Sequence, residues 1–213
     1  MNLMIGIPCM DNVATAFCRS LVGLAVPEHT PYCFMVGSMI YAARNKIVTE
    51  ALQNNMDLIL WLDSDIAFEP DLLSRLFEDM NKTKADVVTG LYFTRAEPLE
   101  PVIYSTLETK QEGDYMYIKK DVYDHYPKNK IFEIAGCGFG AVLTTVDICK
   151  KIIENYGAPF TPLPGMGEDL TFCYKAREMG AKIMCDSGIK LEHVGYDSFN
   201  EERYKEQQRK KKK

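Results

Sequence analysis

The sequence has no apolar run that approaches the roughly 18 residues of a membrane-spanning helix, so no such span is expected. It has no Cys-x-x-Cys pair and no zinc-ligand spacing. Its 7 cysteines (Cys9, Cys18, Cys33, Cys137, Cys149, Cys173 and Cys185) are odd in number and scattered. They read as reduced core thiols of a cytoplasmic protein rather than as a disulfide framework. No basic residue opens Met1 to Pro8, and Pro8 cuts that apolar stretch short, so a secretory signal is not expected there. Positive charge is not in excess: Lys and Arg number 25 against 30 Asp and Glu, for a net charge of −5. The body of the chain is therefore no obvious nucleic-acid binder. Internal repeats are absent, and the glycines at 136, 138 and 140 alternate without forming Gly-x-Gly-x-x-Gly.

What the chain does have, over 213 residues, is 46% hydrophobic content, enough for one domain with a substantial core. Leu58 to Leu62 is a run of five apolar residues (LILWL). A half-exposed strand would alternate, so this run reads as a strand buried on both faces, as in a parallel sheet covered by helices. Asp63, Ser64 and Asp65 follow at its C-terminal end. If the chain stays extended there, both carboxylates point to one side. Ligands of open α/β sheets bind beyond the C-terminal strand ends. Two adjacent acids there suit a hard divalent cation bound to phosphate. The plainer alternative is a loop whose acids, with Glu69 and Asp71, lead into the next helix.

Shorter strands are expected at 2–7, 32–36, 86–93 and 131–144, at 182–185 and at 189–194. Helices are expected at 13–23, 38–54, 71–80, 146–156 and 170–179. The tyrosine-rich stretch 102–126 reads as a peripheral hairpin region. Asp11 reads either as the cap of the first helix or as a residue of the open strand end. Residues 157–167 (GAPFTPLPGMG) read as a functional or mobile loop. Glu168 and Asp169 follow it at a helix start. Residues 1–198 are expected to be the domain, and 199–213 a disordered basic tail that can meet an anionic membrane surface.

Several of these pieces occur together in order: Ala43-Arg44-Asn45, the strand ending in Asp63-Ser64-Asp65, the Gly-rich strand at 136–140, Glu168-Asp169 opening a helix, and a late His193. Together they resemble the GT-A nucleotide-sugar glycosyltransferases, family 2-like members above all, over roughly residues 3 to 195. The resemblance implies a Rossmann-like, mostly parallel sheet flanked by helices on both faces. It implies transfer of a sugar from a nucleoside-diphosphate sugar, a UDP-sugar first, to the hydroxyl of a glycan, protein or small molecule. It also implies a Mn2+ or Mg2+ cofactor. By position, Pro8, Asp11, Arg44, Asp63 and Ser64 would hold the nucleotide, and Asp63, Asp65 and His193 the metal. Asp169, with Glu168 second, would be the catalytic base of an inverting displacement. Arg95 and Gly138 would face the acceptor. The usual acidic turn after the second strand is replaced by Val36-Gly37-Ser38-Met39, which leaves the choice of base open. A non-catalytic nucleotide-sugar or carbohydrate-binding module is the alternative. A sugar-nucleotide pyrophosphorylase is disfavoured, because residues 6–23 hold only Arg19 and no Gly-rich basic signature for a triphosphate.

Overall fold

A computed structural model describes residues 2–10, 12–37, 39–112, 115–195 and 198–211. The first half runs β1 (Leu3–Cys9), α1 (Thr15–Gly23), β2 (Tyr32–Val36), α2 (Ile40–Gln53), β3 (Leu58–Leu62), β4 (Ile66–Ala67), α3 (Leu72–Thr83) and β5 (Val87–Leu91). A hairpin of β6 (Ile103–Glu112) and β7 (Tyr115–Val122) follows, then β8 (Ile131–Glu133), β9 (Gly136–Cys137) and β10 (Ala141–Thr145). The chain closes with α4 (Val146–Tyr156), α5 (Glu168–Glu178), β11 (Ile183–Lys190), β12 (Glu192–Val194), β13 (Ser198–Phe199) and α6 (Glu201–Lys211).

The central sheet has seven strands in the order β2-β1-β3-β10-β5-β11-β8. β1 runs parallel to β2 and β3, and β5 parallel to β11. β10 is antiparallel between β3 and β5, and β8 is an antiparallel edge. Five strands share one direction, so the sheet is mostly parallel, as the unbroken apolar runs require. Every residue of β1, β3 and β5 is buried. Helices α1 and α3 cover one face, where Phe17, Leu72 and Leu76 meet Ile5, Ile7 and Leu60. Helices α2, α4 and α5 cover the other, where Ile47, Ile152 and Phe172 meet Met4, Ile59 and Trp61. The expected peripheral hairpin is β6–β7, which pairs through β9 rather than with the main sheet.

Three expectations need correction. The single strand expected at 131–144 is three strands in different pairings. Its glycines explain the break: a Cβ at Gly136 would lie 3.2 Å from Leu107 and 3.3 Å from Cys173, so the chain leaves the main sheet to pack closely against β6 and α5. The loop at 157–167 is pinned, not loose. Phe160 is fully buried and packs its ring 4.7 Å from Phe172, 5.0 Å from Phe139 and 5.1 Å from Trp61. Lys175, itself buried, donates through Nζ to the carbonyls of Ala158 at 2.9 Å, Thr161 at 3.2 Å and Pro159 at 3.4 Å. Lys175→Met removes those donors from beneath the loop and is expected to cost about 2–4 kcal/mol of stability. A urea unfolding midpoint close to that of the wild type would refute that role.

The third correction concerns the tail. Residues 201–211, expected to be disordered, form α6. Composition hid the anchor, since one apolar side chain does most of the docking: Tyr204 is buried and stacks on Phe93 with ring centroids 4.6 Å apart. Gln207 accepts the Leu99 amide through Oε1 at 2.9 Å. Glu201 draws in Lys190 at 3.0 Å and Lys205 at 3.2 Å.

On the far side of the sheet, Asp79 of α3 lies beside Asp186 of β11. Burial, then the charge of Asp186, pushes the Asp79 carboxyl up to about 6. An acid with a raised folded-state pKa binds its proton more tightly folded than unfolded. Its contribution is therefore favourable at low pH and is lost as pH rises through about 6. Asp79→Asn is expected to flatten that fall and to raise the melting temperature at pH 8 by about 1–3 °C, a small effect because the pair is partly open to solvent. Melting curves at pH 5 and pH 8 check it; an unchanged difference between the two would contradict the assignment.

Candidate active site

The site forms where β3 stops. Asp63 N–H donates to the Gly140 carbonyl at 2.9 Å, and Ile66 N–H to the Asp63 carbonyl at 3.2 Å, which turns the chain at Ser64. The extended geometry expected through Asp65 is lost, and the two carboxylates take different partners. Asp63 Oδ1 accepts from Arg44 Nη2 at 2.9 Å. Arg44 rises from α2 and is 1% exposed, with its guanidinium 5.2 Å from the Phe139 ring and 5.7 Å from the Phe160 ring. Its Nε lies 3.7 Å from Glu168 Oε1 at the start of α5, too far for a hydrogen bond, and Nε has no hydrogen-bond partner among the described residues. One buried arginine thus stands between two acids. Burial pushes Asp63 up to about 6; Arg44 pulls it down, while Asp65, Glu168 and Asp169 push it up.

Asp65 faces the other way. Its Oδ2 lies 2.8 Å from Arg95 Nη1 and 3.6 Å from His193 Nε2. His193 reaches Asp65 because β12 pairs with β4, with His193 opposite Ile66, and Val194 N–H donates to the Asp65 carbonyl at 2.7 Å. The Phe93 carbonyl, 3.0 Å from His193 Nδ1, can only accept, so it places a proton on Nδ1 and turns Nε2 toward Asp65. The Tyr92 ring meets the imidazole edge-on at 5.6 Å. Burial raises the Asp65 carboxyl, but its contact with His193 and the charge of Arg95 outweigh it and hold Asp65 below the usual carboxylate range.

A cavity of about 400 Å³ joins these groups and is lined by Pro8, Met10, Gly37, Ile40, Asp63, Ser64, Asp65, Arg95 and His193. It opens at the C-terminal ends of β1 and β3, the place where open α/β sheets bind ligands. A larger cavity, about 520 Å³, lies between α1 and the start of α6. Its charged lining includes Lys190 and Glu201, which pair with each other, so it offers less for chemistry.

Glu168 and Asp169 occupy the first turn of α5, after Gly167 at the cap position. Asp169 Oδ1 accepts the Leu170 amide at 2.7 Å. Burial raises the Asp169 carboxyl, the charge of Glu168 adds to the rise, and the Leu170 amide and Arg44 work against it.

Pro8, Asp63, Ser64, Asp65 and His193 therefore line one cavity, and Arg44 joins Asp63 to Glu168. Asp11 lies outside the described residues. Other placements differ from expectation. Arg44 lies behind Asp63 rather than open to a nucleotide. Arg95 lies in the Asp65 cavity. Gly138 is buried beneath Tyr92 and Val102, with its N–H on the Val102 carbonyl at 3.1 Å, so packing rather than an acceptor explains it. Sequence reasoning passed over Tyr92 and Phe93, whose only signal was a buried strand running straight into Thr94-Arg95.

The donor set can be tested against a divalent cation. Bonds of about 2.1 Å place two ligands about 3 Å apart at right angles and about 4.2 Å apart across the ion. Asp65 Oδ2 and His193 Nε2, at 3.6 Å, fall between these limits. Among the described residues no group of three or more His, Cys, Asp or Glu converges on one such point. Asp63, read from sequence as a further ligand, is turned to Arg44. The described residues thus offer two ligands, which suits a cation completed by phosphate oxygens and water.

Residues 36–141 match the profile of Glycosyl transferase family 2. Among solved structures, the chain is similar to A197 from STIV, at a TM-score of 0.64 and 19% identity over 92% of this chain and 86% of that one. It is also similar to GalNAc-T7, solved with UDP, GalNAc and Mn2+, at a TM-score of 0.58 and 10% identity. That alignment covers 91% of this chain and 43% of GalNAc-T7. No curated protein sequence matches. Among the described residues no helix is long and apolar enough to cross a membrane.

Proposed function

We propose that this chain, a family 2-like glycosyltransferase of GT-A fold, moves a sugar from a nucleoside-diphosphate sugar to an acceptor hydroxyl by an inverting displacement with Asp169 as base. The observation that carries the reading is that Asp63, Asp65 and His193 line one cavity at the C-terminal end of β3, with buried Arg44 joining Asp63 to Glu168 of α5. The UDP and Mn2+ bound by GalNAc-T7 support UDP and manganese as the first ligands to try.

Each residue has a physical task in this scheme. Pro8 and Ser64 line the cavity that takes the nucleotide. Asp65 and His193 would hold a divalent cation, which would neutralise charge on the departing diphosphate. Arg44 fixes Asp63 on one side and Glu168 on the other, so the acids stay in place without wholly repelling each other. The acceptor hydroxyl is a weak acid, and its proton must leave as the new bond forms. A carboxylate with a raised pKa is the stronger base for that proton, and this favours Asp169. The N-terminus of α5 moderates the rise by favouring the ionised form.

Thermal stability in the presence of nucleoside diphosphates, each with and without Mn2+, tests the binding half of the scheme. A ligand present at 100 times its dissociation constant adds about 2.7 kcal/mol. UDP with Mn2+ is expected to raise the melting temperature by several degrees, UDP alone to do less, and Asp65→Ala to remove the difference. If no nucleoside diphosphate shifts the melting curve with any metal, the reading fails. The anomeric configuration of the product, followed by NMR, tests inversion.

A further inference from the structure

We propose that Arg95 is a resident counter-cation for Asp65, one that yields the carboxylate to a divalent cation and then pairs with the diphosphate of the donor. The proposal rests on the nucleotide-sugar reading above. Arg95 Nη1 lies 2.8 Å from Asp65 Oδ2, the same oxygen that faces His193 Nε2 at 3.6 Å. A cation bridging Asp65 and His193 needs the space that the guanidinium fills, so the two compete for one oxygen.

The pairing is built to be given up. The Arg95 side chain is 50% exposed, and ion pairs so open to water hold weakly. The backbone around it is anchored. Phe93 lies under Tyr204, Thr94 N–H donates to the Glu100 carbonyl at 2.9 Å, and the Leu99 amide is held by Gln207 at 2.9 Å. Only the long side chain has to swing, and the loop that carries it stays in place.

Charge supplies the second half. Asp63 and Asp65 line the cavity, and Glu168 and Asp169 stand close enough behind it to act on Asp63. An incoming diphosphate meets that negative field. Among the residues lining the cavity, Arg95 is the one with a permanent positive charge. Arg44, the other guanidinium nearby, is buried against Asp63 and Glu168. Once freed from Asp65, Arg95 presents a planar fork of donors that matches phosphate oxygens.

Two binding measurements test this on the full chain. Mn2+ uptake without nucleotide is followed by the loss of the free-ion paramagnetic resonance signal. UDP binding at saturating Mn2+ is followed by calorimetry. Arg95→Ala is expected to bind Mn2+ about fivefold more tightly than the wild type, and UDP about tenfold more weakly. Arg95→Lys keeps the charge without the fork and should fall between on both. Equal or weaker Mn2+ binding by Arg95→Ala, or unchanged UDP binding, overturns the proposal and leaves the nucleotide-sugar reading standing. If the wild type takes up neither Mn2+ nor UDP, both fall together.

Discussion

Asp169→Asn is expected to lower the transfer rate by about two to four orders of magnitude while leaving the stabilisation by UDP and Mn2+ intact. The asparagine keeps the size of the side chain and an oxygen able to accept the Leu170 amide, so the turn at the start of α5 should persist. What it loses is the capacity to take a proton. Glu168 is the competing base, but its carboxylate faces buried Arg44 across 3.7 Å and is taken up as the partner of that cation. Glu168→Gln should therefore cost less, about tenfold, chiefly by disturbing Arg44. If Glu168→Gln is the more damaging change, the two roles are reversed. The pH profile adds a further check. Burial raises the Asp169 carboxyl, and only the ionised form accepts a proton. The rate should be full above the raised pKa and be lost as pH falls through it, in a range above that of an ordinary aspartate. The residual activity of Asp169→Asn should lack that part of the acid limb. Asp63, at about 6 in the free protein, adds its own titration and will persist in the variant.

The parts of this molecule legible in the sequence are those where one local pattern decides the outcome. The LILWL run demands burial on both faces, so β3 and the acids at its end could be placed without knowing any neighbour. Helix α4 was equally plain, opening at Thr145, whose hydroxyl accepts the Ile148 amide at 3.4 Å, and ending before Gly157. Illegible were the features settled between distant segments. Arg44 is expected to hold the nucleotide; only the Phe139 and Phe160 rings, far along the chain, make it a buried residue. The Pro- and Gly-rich loop at 157–167 carries every local sign of mobility, yet Phe160 is drawn into an aromatic cluster and Lys175 closes over its carbonyls. In the same way, Tyr204, stacked on Phe93, helps turn a charged tail into a docked helix. His193 was identified by the company it keeps in a known family. Its path to Asp65, through the β4–β12 pairing, is a tertiary fact that spacing does not carry.

Arg44→Met is expected to be the most damaging single change to the site, lowering stability by about 2–4 kcal/mol and abolishing nucleotide-dependent stabilisation. Methionine replaces much of the stem and keeps some contact with the two rings, so the loss comes mainly from charge. Removing the guanidinium strands Asp63 and Glu168 beside Asp169 with no cation between them. Breaking a fully buried pair costs about 3–5 kcal/mol, but the Asp63 side chain is 23% exposed and that of Glu168 19%, so water recovers part of it. Asp63, which Arg44 pulls down, should also hold its proton to higher pH. The stability deficit of Arg44→Met should then shrink on acidification, because protonating either acid removes the repulsion. Arg44→Lys should rescue little, since an ammonium cannot span Asp63 and Glu168 while lying flat between Phe139 and Phe160. Urea unfolding at pH 5 and pH 8 separates the cases. A deficit equal at both pH values would mean that Arg44 acts by packing alone. A deficit concentrated at pH 8 would identify it as the charge that allows the acids of β3 and α5 to share one cleft.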